Sequence, residues 1–543
     1  MVPEQKRSTR LSSKQQPDPR AGRQQSSSRR KASATDRVFV GFDLIFVVLL
    51  GGLHALPTAY PKFWWLQLLC AAGLAHRVAR AGIGRSAFLG WAFGTAWLCV
   101  GTWWLYVSMH RYGGLSAPLA GGAVFALSAF LALYLAAAMA LFAMMRRNRL
   151  WLDALIFGGC WLLAELARGF ILTGFPWAAS GYAHVDSPLA ALAPLVGVYG
   201  IGAVAAVVAA LLVLGLRDAS QPGGAAVVGA CAAGIVLAGL AFLKLPTFSG
   251  ASGTLQLALL QPNVPQNEKF AVEVLPQNLA WAADKLMAAK GDLVIAPETI
   301  VPLLPEQLPP EYWQPLLKHF QRGPQAGLFG RPLGNLETNY TNSAVGISRD
   351  TVKMTDGFYR YDKHHLVPFG EFIPAGFRWF TNLMNIPLGD FGRGPRVASS
   401  FPVKTERIAP NICFEDLFGE ELAARFADEH VAPTMFANLT NIGWFGDTIA
   451  VDQHLHISRM RTLEFQRPMV RATNTGTTAV IDHTGRVTDA LAPFTQGVLV
   501  APVTGRVGIT PFAWWAARFG LLPLALGALV PMLFALVLRR RED

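Results

Sequence analysis

The sequence is organised around the stretch RIAPNICFED, residues 407–416. Its apolar part predicts a buried β-strand, and that strand stops at Cys413, which acidic residues follow closely. The other four cysteines lie in long apolar runs, so Cys413 has no disulfide partner in the polar part of the chain. A thiol at a strand end suits a nucleophile, although a lone cysteine is more often a buried, inert side chain. The rest of the sequence has to decide between these two interpretations.

Composition divides the chain into a membrane part and a soluble part. Of 543 residues, 52% are hydrophobic and 15% are charged, which is too apolar for a soluble enzyme and too polar for a membrane bundle alone. The net charge is +12, but no basic patch with interleaved aromatic residues stands out, so no nucleic-acid partner is expected. Residues 1–37 are rich in Ser, Gln, Arg and Lys and are predicted to be a disordered basic tail in the cytoplasm.

Eight apolar runs predict a polytopic α-helical membrane bundle of about eight spans. Most are long enough for a hydrocarbon core, which takes about 20 helical residues, whereas the second is short and could pair with the first as a shallow hairpin. The runs lie at about 38–56, 62–76, 86–108, 116–145, 152–172, 187–216, 224–245 and 511–538. We therefore predict a membrane domain at 38–245 with seven spans, and an eighth span with a short cytoplasmic tail at 511–543.

Arginines in the loops predict the orientation of the bundle. Three loops between the runs, and the residues after the last run, carry arginines on the same side as the basic tail, and positive charge marks the cytoplasmic side. The alternate loops are poor in Lys and Arg. The segment 246–510 is therefore expected outside the cytoplasm.

Two features of the bundle have open interpretations. Glu165 and Arg168 share a helix face at membrane depth, where charges are costly, so they are either a functional site or a self-satisfied pair. Pro and Gly then break the helix at TGFPW, residues 173–177. Trp177 is either an interfacial anchor or part of the wall of a lipid-facing pocket.

Within the segment 246–510, residues 254–510 alternate predicted strands and helices, which is typical of a layered α/β fold. Strands are predicted at 254–261, 292–296, 327–332, 340–348, 407–413, 434–439, 470–475 and 478–482, and helices at 270–290, 311–322, 420–430 and 449–465. Glu298, Lys363 and Cys413 each follow a strand, and sites gather where strands end. A carboxylate can take the thiol proton, because only the thiolate attacks well. The lysine and the backbone N–H of Phe414 can hold an anionic tetrahedral oxygen, and Glu371 can orient the lysine.

These residues, in this order, resemble the nitrilase (carbon–nitrogen hydrolase) superfamily, whose Glu–Lys–Cys triad lies in a four-layer αββα sandwich. From about residue 38 to 538 the chain further resembles the apolipoprotein N-acyltransferases of Gram-negative bacteria. The strings that carry this resemblance are TGFPW at 173–177 with Tyr182, KHHLVPFGEFIP at 363–374, NLTNIGWF at 438–445 and RATNTGT at 471–477. Two positions depart from the family pattern: Phe414 stands where a tyrosine is frequent, and Phe270 where a tryptophan is common.

The resemblance implies acyl transfer in two halves. Glu298 would deprotonate Cys413, which would attack the sn-1 ester of a membrane phospholipid and form a thioester. The N-terminal amine of an S-diacylglyceryl-cysteine apolipoprotein would then take the acyl chain, with Lys363 and the Phe414 N–H holding the oxyanion in both halves. It also implies a multi-pass protein of the bacterial inner membrane whose catalytic domain, 246–510, lies in the periplasm. We expect a monomer and no cofactor.

Further residues are expected to support the site. Glu371 and Glu415 would position catalytic groups, whereas Trp177, Phe270 and Trp444 are candidates for substrate contact, with a role in the core as the alternative for Trp444. An aromatic stretch in a loop is interpreted as an arm that dips into the membrane or covers the site; its members are Phe377, Trp379, Phe380, Leu383 and Met384. His364 and His365 lack a third clustered ligand, so no metal is expected. The alternatives are a membrane-tethered amidase and a transporter with an outer binding domain.

Overall fold

The computed structural model describes residues 34–214, 224–242, 247–337, 339–383 and 390–542. Most of the tail predicted at residues 1–37 therefore lies outside the described residues, as does Met384 of the predicted arm. Helix α1 begins at Ala34, so the last four residues of the predicted tail belong to a helix instead.

In the described part of the first seven apolar runs, the chain forms seven helices. They are α1 (Ala34–Ala55), α2 (Trp64–Val78), α3 (Ile83–Gly101), α4 (Ala117–Met145), α5 (Leu150–Phe170), α6 (Ala193–Leu214) and α7 (Gly224–Phe242). Among the described residues, five helical segments are long and apolar enough to cross a membrane: Gly41–Thr58, Ala117–Met145, Leu150–Thr173, Pro188–Leu214 and Leu522–Arg540. The polytopic bundle is thus confirmed, with eight as an approximate number of spans.

Small residues let the bundle helices approach one another closely. A Cβ atom at Gly51 of α1 would lie 2.2 Å from the carbonyl oxygen of Phe93 in α3. A Cβ atom at Gly158 of α5 would lie 2.9 Å from the carbonyl oxygen of Ala203 in α6. Between apolar helices in lipid, such close contact supplies much of the attraction, because the hydrophobic effect favours neither partner over lipid.

Among the residues that the structure describes, two six-stranded sheets pack face to face after the bundle. The strands are β1 (Gly250–Gln261), β2 (Leu293–Ile295), β3 (Ala326–Asn335), β4 (Asn339–Ile347), β5 (Tyr359–Asp362), β6 (Phe401–Val403), β7 (Glu406–Ile412), β8 (Met435–Thr440), β9 (Met469–Thr473), β10 (Ala479–Ile481), β11 (Val487–Ala490) and β12 (Gly497–Val507). One sheet has the order β12-β1-β2-β3-β4-β5 and the other β11-β10-β9-β8-β7-β6. Aliphatic side chains of both sheets, among them Leu257, Ile412 and Val470, fill the space between them.

Helices cover the outer face of each sheet and complete the αββα sandwich. Helices α8 (Leu275–Ala288) and α9 (Pro310–Arg322) pack on the first sheet, and α10 (Ala450–Phe465) packs on the second. Strands β7, β8 and β9 are parallel, as are β1, β2 and β3. Because parallel strands share one carboxyl edge, the loops that follow them meet at one edge of the sandwich.

The predicted eighth span is wrong in its first part. Residues 511–538 are divided between α11 (Pro511–Phe519) and α12 (Leu522–Glu542), which are separated by Gly520 with a φ angle of +56°. Phe512 and Ala516 of α11 pack against Phe465 and other apolar side chains of the sandwich. The apolar face of α11 therefore serves the core of the soluble part, and the membrane segment begins only with α12.

Helix α10 also joins the sandwich to the bundle. The Nε2 of Gln453 donates to Thr58 Oγ1 at 3.0 Å and to the carbonyl oxygen of Gly101 at 3.0 Å. Its Oε1 accepts from Trp104 Nε1 at 3.0 Å and from Trp177 Nε1 at 2.9 Å. One buried side chain thus uses all its hydrogen-bonding capacity on the bundle, so the second sheet and its helix are fixed against the membrane part.

Candidate active site

Glu298, Lys363 and Cys413 come together at one edge of the sandwich. Each stands just beyond a strand, after β2, β5 and β7 respectively. Lys363 Nζ lies 3.7 Å from Glu298 Oε1, and the thiol of Cys413 lies within electrostatic range of both charged groups. The structure therefore places a base, a cation and a nucleophile in one cluster, as the order of residues in the sequence predicts.

The carboxylate of Glu298 is held from two sides. Its Oε1 accepts from Asn342 Nδ2 at 2.7 Å, and its Oε2 accepts from the backbone N–H of Asn441 at 2.8 Å. The Asn441 side chain is itself fixed, because it donates to Gln266 Oε1 and accepts from Asn474 Nδ2, both at 2.9 Å. With both oxygens engaged, the carboxylate is oriented before any substrate arrives.

Lys363 is a buried cation between two carboxylates. Its side chain is only 1% exposed, and its Nζ donates to Glu371 Oε1 at 2.9 Å. Burial alone would lower the pKa of Lys363, but the Glu371 and Glu298 carboxylates outweigh it and raise that pKa above its ordinary value. The lysine therefore keeps its positive charge at neutral pH.

Cys413 occupies a tight turn at the end of β7, residues 413–417, which we call the nucleophile turn. Its φ angle of +50° lies in the left-handed region, which is uncommon for a residue with a Cβ atom. Burial and the Glu298 carboxylate raise the pKa of the half-buried thiol to about 12, although the Lys363 ammonium acts against them. The resting thiol is therefore protonated at neutral pH, and its attack requires a base.

Glu415 ties the turn of Cys413 to the loop of Lys363. Its two oxygens accept four hydrogen bonds between 2.7 and 3.2 Å, from the backbone N–H groups of Ile412, His364 and His365 and from the hydroxyl of Tyr361. A carboxylate with four donors has little capacity left for substrate. This geometry supports the predicted positioning role of Glu415.

Comparison with known proteins gives matches over both parts of the chain. The family model described as apolipoprotein N-acyltransferase N-terminal domain matches residues 50–211, and that described as carbon-nitrogen hydrolase matches residues 256–511. The apolipoprotein N-acyltransferase of Verminephrobacter eiseniae is 51% identical over 514 residues, which cover 89% of this chain and 94% of that protein. That of Ralstonia nicotianae is 45% identical over 521 residues, covering 95% of this chain and 97% of that protein. The chain belongs to the apolipoprotein N-acyltransferase family.

Among solved structures, the C. elegans NitFhit protein resembles the chain with 16% sequence identity and a TM-score of 0.35, over 47% of this chain and 62% of that one.

The aromatic residues predicted to contact substrate occupy three different environments in this N-acyltransferase family member. Phe270 is 50% exposed beside the site, and Trp444 is half-buried with its ring 6.0 Å from that of Tyr112. Trp177 is buried where the bundle contacts α10 of the sandwich around Gln453, a region that we call the joint. Its indole stacks there on His454. In the described structure Trp177 therefore contacts the sandwich, and its position does not make it a wall of an open pocket.

The predicted arm lies between the site and the bundle. Residues Arg378–Thr381 form one helical turn, in which Trp379 is 63% exposed. Phe380 packs with Leu115 and Ala120 of the bundle, and the ring of Phe377 lies 5.4 Å from that of Phe369. An exposed aromatic surface so close to membrane helices fits contact with lipid.

Three residues of this family member's site carry no role in the sequence prediction. Asn342 donates to Glu298 and also to Glu371 Oε1, at 2.7 Å in both cases. Lys269 is buried, and its Nζ donates to the carbonyl oxygen of Glu298 at 3.2 Å and to the Thr299 hydroxyl. Burial lowers the pKa of Lys269 to about 8 against the opposing effect of Glu298. Asn441 lies within the string NLTNIGWF, which was the signal available for it. Lys269 precedes Phe270 in the pattern of lysine followed by an aromatic residue, but that pattern assigned no role to the lysine. Asn342 has no signal beyond its residue type.

Proposed function

We propose that this chain transfers a fatty acyl chain from a membrane phospholipid to the N-terminal amine of an S-diacylglyceryl-cysteine apolipoprotein. One observation carries the proposal: the Glu298–Lys363–Cys413 cluster lies on a sandwich whose nucleophile turn packs into a membrane bundle. Phe414, Leu417 and Phe418, which follow the nucleophile, belong to the same buried cluster as Trp104 and other bundle residues. Such a position gives the cysteine access to lipid at the membrane boundary.

In the first half of the reaction, the Cys413 thiol gives its proton to the Glu298 carboxylate and the sulfur attacks the sn-1 ester carbonyl carbon. A C–S bond forms, and the carbonyl oxygen becomes an oxyanion held by Lys363 Nζ and the Phe414 N–H. When the oxyanion collapses, the C–O bond to glycerol breaks. The leaving alkoxide takes the proton from Glu298, which releases a lysophospholipid and leaves an acyl thioester on Cys413.

In the second half, the α-amino group of the acceptor attacks the thioester carbonyl carbon. Glu298 takes a proton from the attacking nitrogen, the same two donors hold the oxyanion, and the C–S bond breaks. The proton then returns to the sulfur, so the site is restored. Transfer to an amine rather than to water requires a dry site, which the apolar cluster around the nucleophile turn favours.

This function sets the arrangement in the cell. We place 38–245 and the span from α12 in the bacterial inner membrane, the residues before α1 in the cytoplasm, and 246–510 in the periplasm. Glu371 and Glu415 act as positioning residues, while Phe270 and Trp444 are candidates for contact with the acyl chain. The acting unit is a monomer and uses no cofactor, because the proton transfers and the oxyanion are served by two side chains and one backbone N–H of a single chain.

Mass spectrometry of the purified full chain tests the proposal. The protein in detergent is incubated with a phospholipid of defined acyl chains, and the intact mass and the peptide that contains Cys413 are measured. We expect a mass increase of one acyl chain on Cys413 with release of lysophospholipid, and loss of the added mass when a diacylglyceryl-cysteinyl peptide is supplied. The Cys413→Ala variant is the matched control.

Two results would reject the proposal. One is an unmodified Cys413 under conditions in which iodoacetamide still alkylates it. The other is release of ammonia from small amides without any lysophospholipid, which would identify an amidase.

A further inference from the structure

The carbonyl oxygen of the nucleophile is held by two side chains. Cys413 O lies 3.2 Å from His454 Nε2 and accepts from Asn438 Nδ2 at 3.3 Å. His454 lies on α10 and Asn438 on β8, so two separate elements converge on one oxygen. The peptide that follows Cys413 is therefore fixed by hydrogen bonds, although the φ angle of +50° at Cys413 is an uncommon one.

Fixing this carbonyl also fixes the N–H of Phe414. Cys413 O and the Phe414 N–H belong to one planar trans peptide, so they point in opposite directions. Rotation of that peptide would turn the Phe414 N–H away from the oxyanion, and the Cys413 carbonyl oxygen would face the oxyanion instead. A hydrogen bond to the carbonyl oxygen on one side therefore maintains the oxyanion donor on the other side.

His454 is itself oriented by buried neighbours. Its Nδ1 lies 2.9 Å from Arg471 Nη2, and because a guanidinium can only donate, Nδ1 accepts and the proton is on Nε2. That Nε2–H is shared between Cys413 O and Asp416 Oδ1, which is 3.1 Å away. Trp177 of the bundle stacks on the ring, with centroids 5.5 Å apart and planes 12° apart. The hydrogen bond with Arg471 thus determines the tautomer, and packing against Trp177 determines the ring plane.

We propose that His454 is a positioning residue of the acyl transfer, which holds the Cys413–Phe414 peptide so that the Phe414 N–H faces the oxyanion. The proposal rests on the proposed function, since it concerns the oxyanion of that reaction. It also assigns a task to the joint: Trp177 keeps the imidazole in the plane from which Nε2 reaches the nucleophile turn.

Two rates measured on the same variants test this role. The first is formation of the acyl-enzyme from phospholipid, which passes through an oxyanion. The second is alkylation of Cys413 by iodoacetamide, in which the sulfur displaces iodide and no oxyanion forms. We expect His454→Leu to slow acyl-enzyme formation by up to about 100-fold, the lower end of the effect of losing an oxyanion donor outright, because Asn438 still holds the carbonyl, while the alkylation rate changes little. His454→Gln, which keeps an N–H donor at a similar reach, should recover most of the loss.

His456→Leu is the matched control, because it makes the same change two residues further along α10, where Nε2 lies 3.2 Å from the Ala59 carbonyl oxygen instead. Its acyl-enzyme rate should stay near that of the unchanged protein.

Two results would overturn the proposal. Equal slowing of both rates in His454→Leu would mean that the sulfur has moved, and an unchanged acyl-enzyme rate in that variant would mean that the hydrogen bond from His454 to Cys413 O is not needed. If His454→Leu does not fold, Asn438→Ala provides the same comparison of rates. Absence of acyl-enzyme in the unchanged protein would instead reject the proposed function.

Discussion

Cys413 and Glu298 influence each other electrostatically before any substrate binds. The Glu298 carboxylate is one of the two main causes that raise the pKa of the thiol to about 12, and burial is the other and larger one. The same carboxylate is the proposed base. Glu298 thus disfavours a free thiolate at rest, yet it stands ready to receive the thiol proton when the sulfur attacks.

This double role predicts opposite effects of Glu298→Gln on two reactions. Acyl-enzyme formation at pH 7 should fall by about 10²- to 10⁴-fold, because the general base is lost. Alkylation by iodoacetamide should instead begin at a lower pH than in the unchanged protein, because removal of the negative charge lowers the pKa of Cys413. The measurement is the rate of Cys413 alkylation between pH 7 and pH 10, with mass spectrometry used to monitor the alkylated protein.

Glu298→Asp is the control, since it keeps the charge and should leave the alkylation profile close to that of the unchanged protein. An alkylation profile of Glu298→Gln that moves to higher pH would show that Glu298 does not act on the thiol through its charge.

At the scale of residues, the sequence predicts the groups that stand at strand ends and misses Asn342, which lies within a strand. Glu298, Lys363 and Cys413 follow apolar strands, where a polar side chain has no place in the core and so indicates a site. Asn342 lies within β4, and nothing in the local pattern distinguishes its side chain from a solvent-facing amide. Its role depends on Glu298 and Glu371, which are distant in sequence.

At the scale of elements, the approach of β3 to the turn of Glu298 depends on Gly330. A Cβ atom there would lie 2.5 Å from the backbone nitrogen of Thr299 and 2.6 Å from Glu298 Cα, so the turn would have to move. We expect Gly330→Ala to slow acyl-enzyme formation about 100-fold, because displacement of a catalytic group by about 1 Å has effects of this size. The rate of acyl-enzyme formation and the thermal unfolding of each variant are to be measured.

Gly346→Ala on β4 is the control for crowding without displacement of the base. Its Cβ atom would lie 2.8 Å from the Phe401 ring, which is a side chain in the core between the sheets. It should lower stability by about 1–3 kcal/mol and leave the acylation rate within a few-fold. Equal rates in the two variants would show that the position of the Glu298 turn does not depend on Gly330.

The prediction of helices and strands succeeded where burial imposes a clear apolar pattern. It failed where a strand is too short or too interrupted to show that pattern, and where an apolar helix face has two equally good explanations. The buried strand β2 and the helix α9 lie close to their predicted positions. Strands β5, β6 and β11 were missed because they are only three or four residues long, and β12 was missed because Pro502 and two glycines interrupt its apolar pattern. The helix predicted from Phe270 begins only at Leu275, where Pro276 takes a first-turn position. Helix α11 was assigned to the membrane because an apolar face that packs on a soluble core looks the same in sequence as one that faces lipid.

At the scale of the whole molecule, composition separates the membrane part from the sandwich but does not show how they meet. The joint depends on pairs such as Gln453 and Thr58, which are nearly 400 residues apart in the chain. Glu165 and Arg168, left open by the sequence, hold the loop that carries Trp177: Glu165 Oε1 accepts from the Ser180 N–H at 2.7 Å, and Arg168 donates to the Ala178 carbonyl oxygen at 3.2 Å. Their placement supports a structural task in the joint and offers nothing for a transporter.

The joint also predicts that the sandwich is neither soluble nor fully active without the bundle. The face formed by Phe418, Ile457 and Met460 is buried against bundle residues in the full chain, so a fragment of residues 247–510 would expose it to water. We expect this fragment to aggregate in detergent-free buffer and, when kept in solution by detergent, to form acyl-enzyme at least about tenfold more slowly, because His454 has lost its stacking partner and the nucleophile turn its support. Size-exclusion chromatography measures the aggregation, and intact mass measures the acyl-enzyme.

The same fragment with Ile457→Gln and Met460→Gln should be more soluble without regaining activity, since polarity restores solubility but not the missing contacts. A monomeric, fully active fragment would show that the bundle contributes only membrane attachment and does not position the nucleophile.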